Sequence, residues 1–301
     1  MKRPHGWGQG GAAVQFCRVR SVAEAVDVLS RWGSEGRILA GGTDVMPQYL
    51  RGESAPAALI DISGIDGMQG ISDVGGATSV GALVTLRRLA TASLIALRHP
   101  ALSQASAAVG AWQTQTVATV GGNVCTAASS ADTLPALLVS DAQLTLVSKS
   151  GRRRMDLGEF LAGAGATALR PTELLRAIEL EPIGERCAEG YLKVGRRSAM
   201  DFAVVGLALR LSVTPSGVVS GARIAVCGGT RAPHRVPSAE SAIVGTRLDD
   251  GRVDCAEAGA ALASAAAPER TEAARYRRRV FGGLLSRLAD RCVAEISGAS
   301  G

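Results

Sequence analysis

Apolar positions recur along the first third of this chain in alternating helical and strand spacings. Val22, Ala25, Val26 and Leu29 share one helical face. Ser21-Val22-Ala23-Glu24 reads as a capping box, with Ser21 as N-cap and Glu24 reaching back. The pattern ends near Gly33. Residues 37–40 then read as a short buried strand, 45–50 as a helical turn and 58–62 as a second strand. Gly, Ser and β-branched residues over 71–82 predict a hairpin, and helices are expected over 85–92 and 100–109. Residues 117–124 are expected to be extended. Asp132 as N-cap, with Pro135 in the first turn, starts a further helix. A strand at 142–147 pairs with 152–157 as a hairpin, and 174–180 is another strand.

Polar composition over 182–190 marks a domain boundary, dividing the chain into 1–183 and 184–301, with a subdivision of the first part near 62–70. Beyond it, strands at 191–196, 204–212 and 218–227 precede helices at 238–244, 254–266 and 271–294. Strands followed by helices is an α+β order, here helices over one face of a three-stranded antiparallel sheet.

The length of 301 residues accommodates two or three domains with a sizeable core. Aromatic content of only 3% argues against a base-stacking single-strand binder. The net charge of +6 gathers in Arg152-Arg153-Arg154, Arg196-Arg197 and Arg277-Arg278-Arg279. These clusters keep a basic nucleic-acid-binding module among the readings, although a recognition motif is missing. The six cysteines contain no C-x-x-C pair, so their spacing signals neither zinc nor an iron–sulfur cluster, and no metal site is expected. Free thiols in a reducing cytoplasm are the expectation. Met1-Lys2-Arg3-Pro4-His5-Gly6 runs into glycine rather than an apolar leader, and no apolar run is long enough to span a bilayer.

Candidate chemistry concentrates in two glycine segments, Ala40-Gly41-Gly42-Thr43-Asp44 and Thr119-Val120-Gly121-Gly122-Asn123. Each follows an apolar run and sets two glycine amides beside small hydroxyl or amide side chains. Glycine lets backbone approach an anion closely, because no Cβ intervenes and positive φ costs little. Successive amides then form an anion-binding nest. Two such segments suggest one diphosphate gripped from two sides. Neither a G-x-G-x-x-G fingerprint nor a P-loop lysine is present, so the nucleotide stays open at this level.

Taken in order, Arg37-Ile38-Leu39-Ala40-Gly41-Gly42-Thr43-Asp44-Val45, Thr119-Val120-Gly121-Gly122-Asn123, Ser129-Ser130-Ala131-Asp132-Thr133-Leu134-Pro135-Ala136, Tyr191-Leu192-Lys193-Val194-Gly195-Arg196-Arg197 and Val226-Cys227-Gly228-Gly229-Thr230 resemble the FAD-binding medium subunit of the molybdenum hydroxylases. That family includes xanthine dehydrogenase and carbon monoxide dehydrogenase, and the resemblance covers nearly the whole chain. It implies a two-subdomain FAD domain of the vanillyl-alcohol-oxidase type, followed by a smaller α+β domain. It also implies an electron-transfer role with no catalytic side chain. A large molybdopterin subunit hydroxylates the substrate and a small subunit with two [2Fe–2S] clusters relays electrons. FAD on this chain passes them to an external acceptor, in a dimer of heterotrimers. A free-standing FAD oxidoreductase of the same fold is the alternative.

The same resemblance assigns site residues. Ile38, Leu39, Ala40, Gly41, Gly42, Thr43, Asp44 and Val45 wrap the diphosphate, while Thr119, Gly121, Gly122 and Asn123 form the opposite wall. Cys125 follows that wall as a small apolar filler. Asp132 accepts from a ribose hydroxyl, Lys193 lies near the flavin, where a cation raises the potential, and Val109 and Leu175 make apolar contacts. Two positions depart from the pattern. Gln115 stands where relatives commonly carry a basic residue, and Phe202 where some carry a tyrosine. His99 and His234 are assigned no chemistry.

Overall fold

The computed structural model describes residues 14–197, 200–266 and 272–298. The glycine-rich start and Thr271, the expected first residue of the last helix, lie outside them. The chain opens with β1 (Gln15–Arg18), α1 (Val22–Trp32), β2 (Gly36–Leu39), α2 (Val45–Leu50) and β3 (Ala58–Asp61). These strands form a parallel sheet in the order β1-β3-β2. Ser21 Oγ accepts the Glu24 amide at 3.1 Å, as a capping box requires. The Glu24 carboxylate reaches one residue further back, to the Arg20 amide at 2.7 Å. Ala25, Val26 and Leu29 turn the buried face of α1 inward.

Next come β4 (Ile71–Val74), β5 (Ala77–Gly81) and six short helices. The helices are α3 (Leu86–Thr91), α4 (Ser93–Arg98), α5 (Pro100–Ala108), α6 (Trp112–Val117), α7 (Val120–Thr126) and α8 (Thr133–Val139). After them come β6 (Gln143–Ser148), β7 (Gly151–Asp156), α9 (Leu157–Phe160), β8 (Leu161–Gly163), β9 (Ala166–Thr167) and β10 (Leu174–Leu180). The longer strands build an antiparallel five-stranded sheet, β4-β5-β10-β6-β7. One apolar core, including Ile60, Leu86, Leu102, Leu134, Leu144 and Ile178, runs continuously from the parallel sheet to this one.

The last part holds β11 (Cys187–Val194), β12 (Val205–Val213), β13 (Val219–Gly228), β14 (His234–Arg235), α10 (Pro237–Ile243), α11 (Ala256–Ala265) and α12 (Glu272–Gly298). The sheet is antiparallel with four strands in sequential order, not the three expected. The extra strand, β14, has two residues between Pro233 and Pro237, too short for any alternation to register. β11 also begins inside the stretch read as a polar loop, since Cys187 to Gly190 already pair with β12.

Alternation along these strands sorts two different faces. Leu207, Leu209, Leu211, Ile224 and Val226 pack with Phe281, Leu285 and Leu288 of α12. The opposite face carries Glu189, Tyr191, Lys193, Arg210 and Cys227, and looks onto the first part of the chain. Tyr191, Ala208 and Ala225 accordingly belong to the first core.

Candidate functional site

β2 ends at Leu39, and the chain turns through Ala40–Asp44 into α2. A Cβ on Gly41 would overlap the carbonyl oxygen of Val117, so only glycine fits there. Gly42 adopts φ of 70°, in the left-handed region that glycine tolerates without strain. The carbonyls of Gly42 and Asp44 accept the Met46 and Gln48 amides at 3.1 Å each. The amides of Gly41, Gly42, Thr43 and Asp44, by contrast, donate to no acceptor among the described residues. A run of four unengaged donors, half-buried at Gly41, Gly42 and Thr43 and exposed at Asp44, is a fit for an anionic oxygen cluster.

The second glycine segment differs from the extended chain expected. Thr119 is an N-cap, its Oγ1 accepting the Gly122 amide at 3.0 Å, and Val120–Thr126 is α7. Every amide of its first turn is engaged within the protein. Val120 donates to Val84 O at 3.0 Å, Gly121 to Ala82 O at 2.9 Å and Asn123 to Thr119 O at 3.0 Å. Gly121 is glycine for packing, because a Cβ there would lie 2.6 Å from both Cβ and O of Ala82. This segment therefore meets the first loop with side chains, not with free amides. Thr126 Oγ1 donates to Asp44 Oδ2 at 3.2 Å, and Gly41 abuts the Val117–Ala118 backbone, so the two segments are adjacent. The Asn123 side-chain oxygen takes the Thr133 hydroxyl, which ties α7 to α8 and leaves the amide NH2 of Asn123 as a donor.

Asp132 does not cap α8 through its side chain. Its φ and ψ of −60° and −36° are already helical, and its carboxylate turns elsewhere. Oδ1 accepts the Tyr191 hydroxyl at 2.6 Å and Oδ2 the Lys193 ammonium at 3.1 Å. Lys193 Nζ also donates to Ala108 O at 2.6 Å and Asp201 O at 2.9 Å. The Tyr191 oxygen sits 3.8 Å from Cys227 Sγ, above Gly206, where any side chain would collide with it. Burial raises the Asp132 carboxyl, with Lys193 and Tyr191 pulling it back down. Burial also raises the Tyr191 phenol well above its usual value, and Cys227 and Asp132 add to that. The Cys227 thiol is pushed up chiefly by burial.

Other expected residues lie in or against the first core. Ile38, Ala40 and Val109 are half-buried against the core, and Leu175 lies within it. Cys125 also packs on that core, and burial pushes its thiol up to about 12. Gln115 uses its Nε2 to close the end of α5, donating to Ala107 O at 3.0 Å and Val109 O at 2.9 Å. It thus meets the exposed carbonyls that a cation would otherwise favour. Phe202 is 79% exposed. Arg153, Arg154 and Arg197 pair with Glu173, Glu179 and Asp201. Among the described residues no His, Cys, Asp and Glu cluster could hold a metal, and no helix is long and apolar enough to cross a membrane. Tyr191 and Cys227 stand in the motifs quoted above without an assigned role, and Gln104 is not singled out there. The available signal for Tyr191 is the polar alternation Glu189, Tyr191, Lys193 along β11.

Two family models tile the chain. The FAD binding domain in molybdopterin dehydrogenase matches residues 12–181, and the CO dehydrogenase flavoprotein C-terminal domain matches 190–292. The carbon monoxide dehydrogenase medium chain of Afipia carboxidovorans is 30% identical over 93% of this chain and 96% of its own length. The xanthine dehydrogenase FAD-binding subunit of Escherichia coli is 30% identical over 75% of this chain and 77% of its own. A solved structure titled reconstituted CO dehydrogenase from Oligotropha carboxidovorans superposes with a TM-score of 0.88 at 26% identity, covering 95% of this chain and 99% of that one.

Proposed function

The chain belongs to the FAD-binding medium subunits of the molybdenum hydroxylases, of the carbon monoxide and xanthine dehydrogenase type, and from that premise we propose that it relays electrons inside such a complex. In this reading residues 1–183 form a two-subdomain flavin domain of the vanillyl-alcohol-oxidase type, and 184–301 form the smaller domain that closes over it. The observation that carries the reading is the row of unengaged amides from Gly41 to Asp44, a donor set suited to the FAD diphosphate. Because the first turn of α7 has no free amide, that wall serves through the Thr119 and Asn123 side chains and the close approach that Gly121 permits. Val109 and Leu175 supply apolar surface.

FAD, when bound, carries electrons between iron–sulfur clusters on a small partner subunit and an external acceptor. A large molybdopterin subunit performs the hydroxylation. This chain's residues bind, orient and exclude water, and none is required to move a proton. The test is to co-express the chain with its partner subunits and denature the purified complex. The expected outcome is a yellow-brown preparation that releases FAD in stoichiometric amount. A folded, assembled complex without FAD overturns the reading.

A further inference from the structure

We propose that Asp132, Tyr191 and Lys193 act as one positioning unit, which holds the end of α5 and the Asp201–Phe202 segment in place without Lys193 itself contacting a cofactor. The inference rests on the flavin reading above. An ammonium has three N–H donors. Those of Lys193 are directed to Ala108 O, Asp132 Oδ2 and Asp201 O, at 2.6, 3.1 and 2.9 Å. None remains for a flavin oxygen. One cation thus joins three separate pieces of chain around the candidate site. Ala108 ends α5 just before Val109. Asp132 precedes α8, and Asp201 precedes the exposed Phe202.

Tyr191 completes the unit from behind. Its hydroxyl takes the second oxygen of Asp132 at 2.6 Å, which fixes the rotamer that presents Oδ2 to Lys193. The phenol is itself immobilised. Its ring lies in the buried core, its amide donates to Gln104 Oε1 at 2.9 Å, and its hydroxyl stands in the space left by Gly206. Asp201 adds order on the far side. Its carboxylate accepts the amides of Arg197 and Phe202 at 2.9 Å each, so anchoring the Asp201 carbonyl also anchors the backbone that presents Phe202. Charge balances inside the unit, one carboxylate against one ammonium, with the phenol neutral.

The test is a double-mutant cycle on the assembled complex, using Tyr191→Phe, Lys193→Met and the combination. Two readouts are taken, the dissociation constant for FAD and the midpoint potential of the bound flavin. Each single change is expected to weaken FAD binding about tenfold, the scale of one charge-assisted hydrogen bond. The double variant is expected to be no weaker than the worse single, because both remove the same unit. The potential is expected to move in the same direction in both singles, which a remote structural tyrosine would not cause. Losses that multiply to about a hundredfold, or a Tyr191→Phe complex with unchanged affinity and potential, overturn the unit. If Lys193→Met fails to assemble, Asp132→Asn with Tyr191→Phe runs the same cycle. A wild-type complex devoid of FAD refutes the flavin reading itself, whereas wild-type FAD with multiplying losses refutes only the unit.

Discussion

Glu189 and Lys193, on the same face of β11, engage opposite ends of helix α5. Glu189 Oε1 accepts the Ala101 amide at 3.3 Å, and Lys193 Nζ donates to the Ala108 carbonyl at 2.6 Å. Between them the Tyr191 amide reaches Gln104 Oε1. The match is one of length and polarity. Four strand steps span roughly 13 Å, and the eight helical residues from Ala101 to Ala108 roughly 12 Å. A carboxylate stands at the helix start and an ammonium at its end, as the helix dipole favours.

Removing the carboxylate from this joint should be costly. Arg210 is buried and places Nε 2.8 Å from Glu189 Oε2. Burial raises the Glu189 carboxyl, and Arg210 opposes that shift. Glu189→Ala strands the guanidinium and is expected to lower unfolding free energy by about 3–5 kcal/mol. Urea unfolding of the purified protein measures it. A loss of under about 1 kcal/mol, typical of a surface pair, would show that the joint is solvated.

Gly41→Ala tests the contact between the two glycine segments. The new Cβ would meet the Val117 backbone, which has no flexible end to swing away. Overpacking of this kind costs about 1–3 kcal/mol and separates the segments. The expected outcome is a folded protein by circular dichroism that retains far less FAD after gel filtration. Full retention would contradict the packing described here.

Neighbouring glycines in α7 should respond to different degrees. Gly121→Ala forces contact at 2.6 Å with Ala82 and is expected to destabilise by about 1–3 kcal/mol. Gly122→Ala meets only Thr119 Oγ1 at 3.0 Å and gains helix propensity, so its net change should stay within about 1 kcal/mol. Thermal melts of the pair settle the ordering.

His99 provides a pH signature. It is fully buried, neither ring nitrogen has a partner among the described residues, and burial, with Arg210 and Arg98 adding, holds it down to about 3. The unfolded chain takes up a proton near the usual 6.5 while the folded one does not. Stability is thus retained above about 6.5 and falls as pH drops towards about 3. His99→Leu removes this proton uptake and should flatten the wild-type decline between pH 7 and 4, as read by urea midpoints. Parallel curves for the two proteins would place the acid sensitivity elsewhere.

Much of the architecture was legible because its elements carry their own periods. The helix from Val22 and the strands around Leu144, Ile178 and Leu209 follow spacings that burial alone enforces. Thr-Val-Gly-Gly-Asn misled because its β-branched and glycine residues disfavour helix. Only the Thr119 cap, together with carbonyls of Ala82 and Val84 from far along the chain, makes a helix there. Asp132 was legible as a polar residue before a helix, but a local cap and a long-range ion pair look alike in sequence. The partners that decide between them, Tyr191 and Lys193, lie 59 and 61 residues away.

The sheet β11–β14 packs on both faces, one against α12 and the other against the first part of the chain, and this bears on how parts of two relatives could be joined. The linker before Cys187 looks like a natural seam for joining the front of one relative to the back of another. A chimaera cut there would put Glu189, Tyr191 and Lys193 of one parent against a helix shaped for another's strand. The transferable piece is the second domain together with α5 and the start of α8, although these lie far upstream in the chain. Modularity here follows the polar joint, not the order of residues.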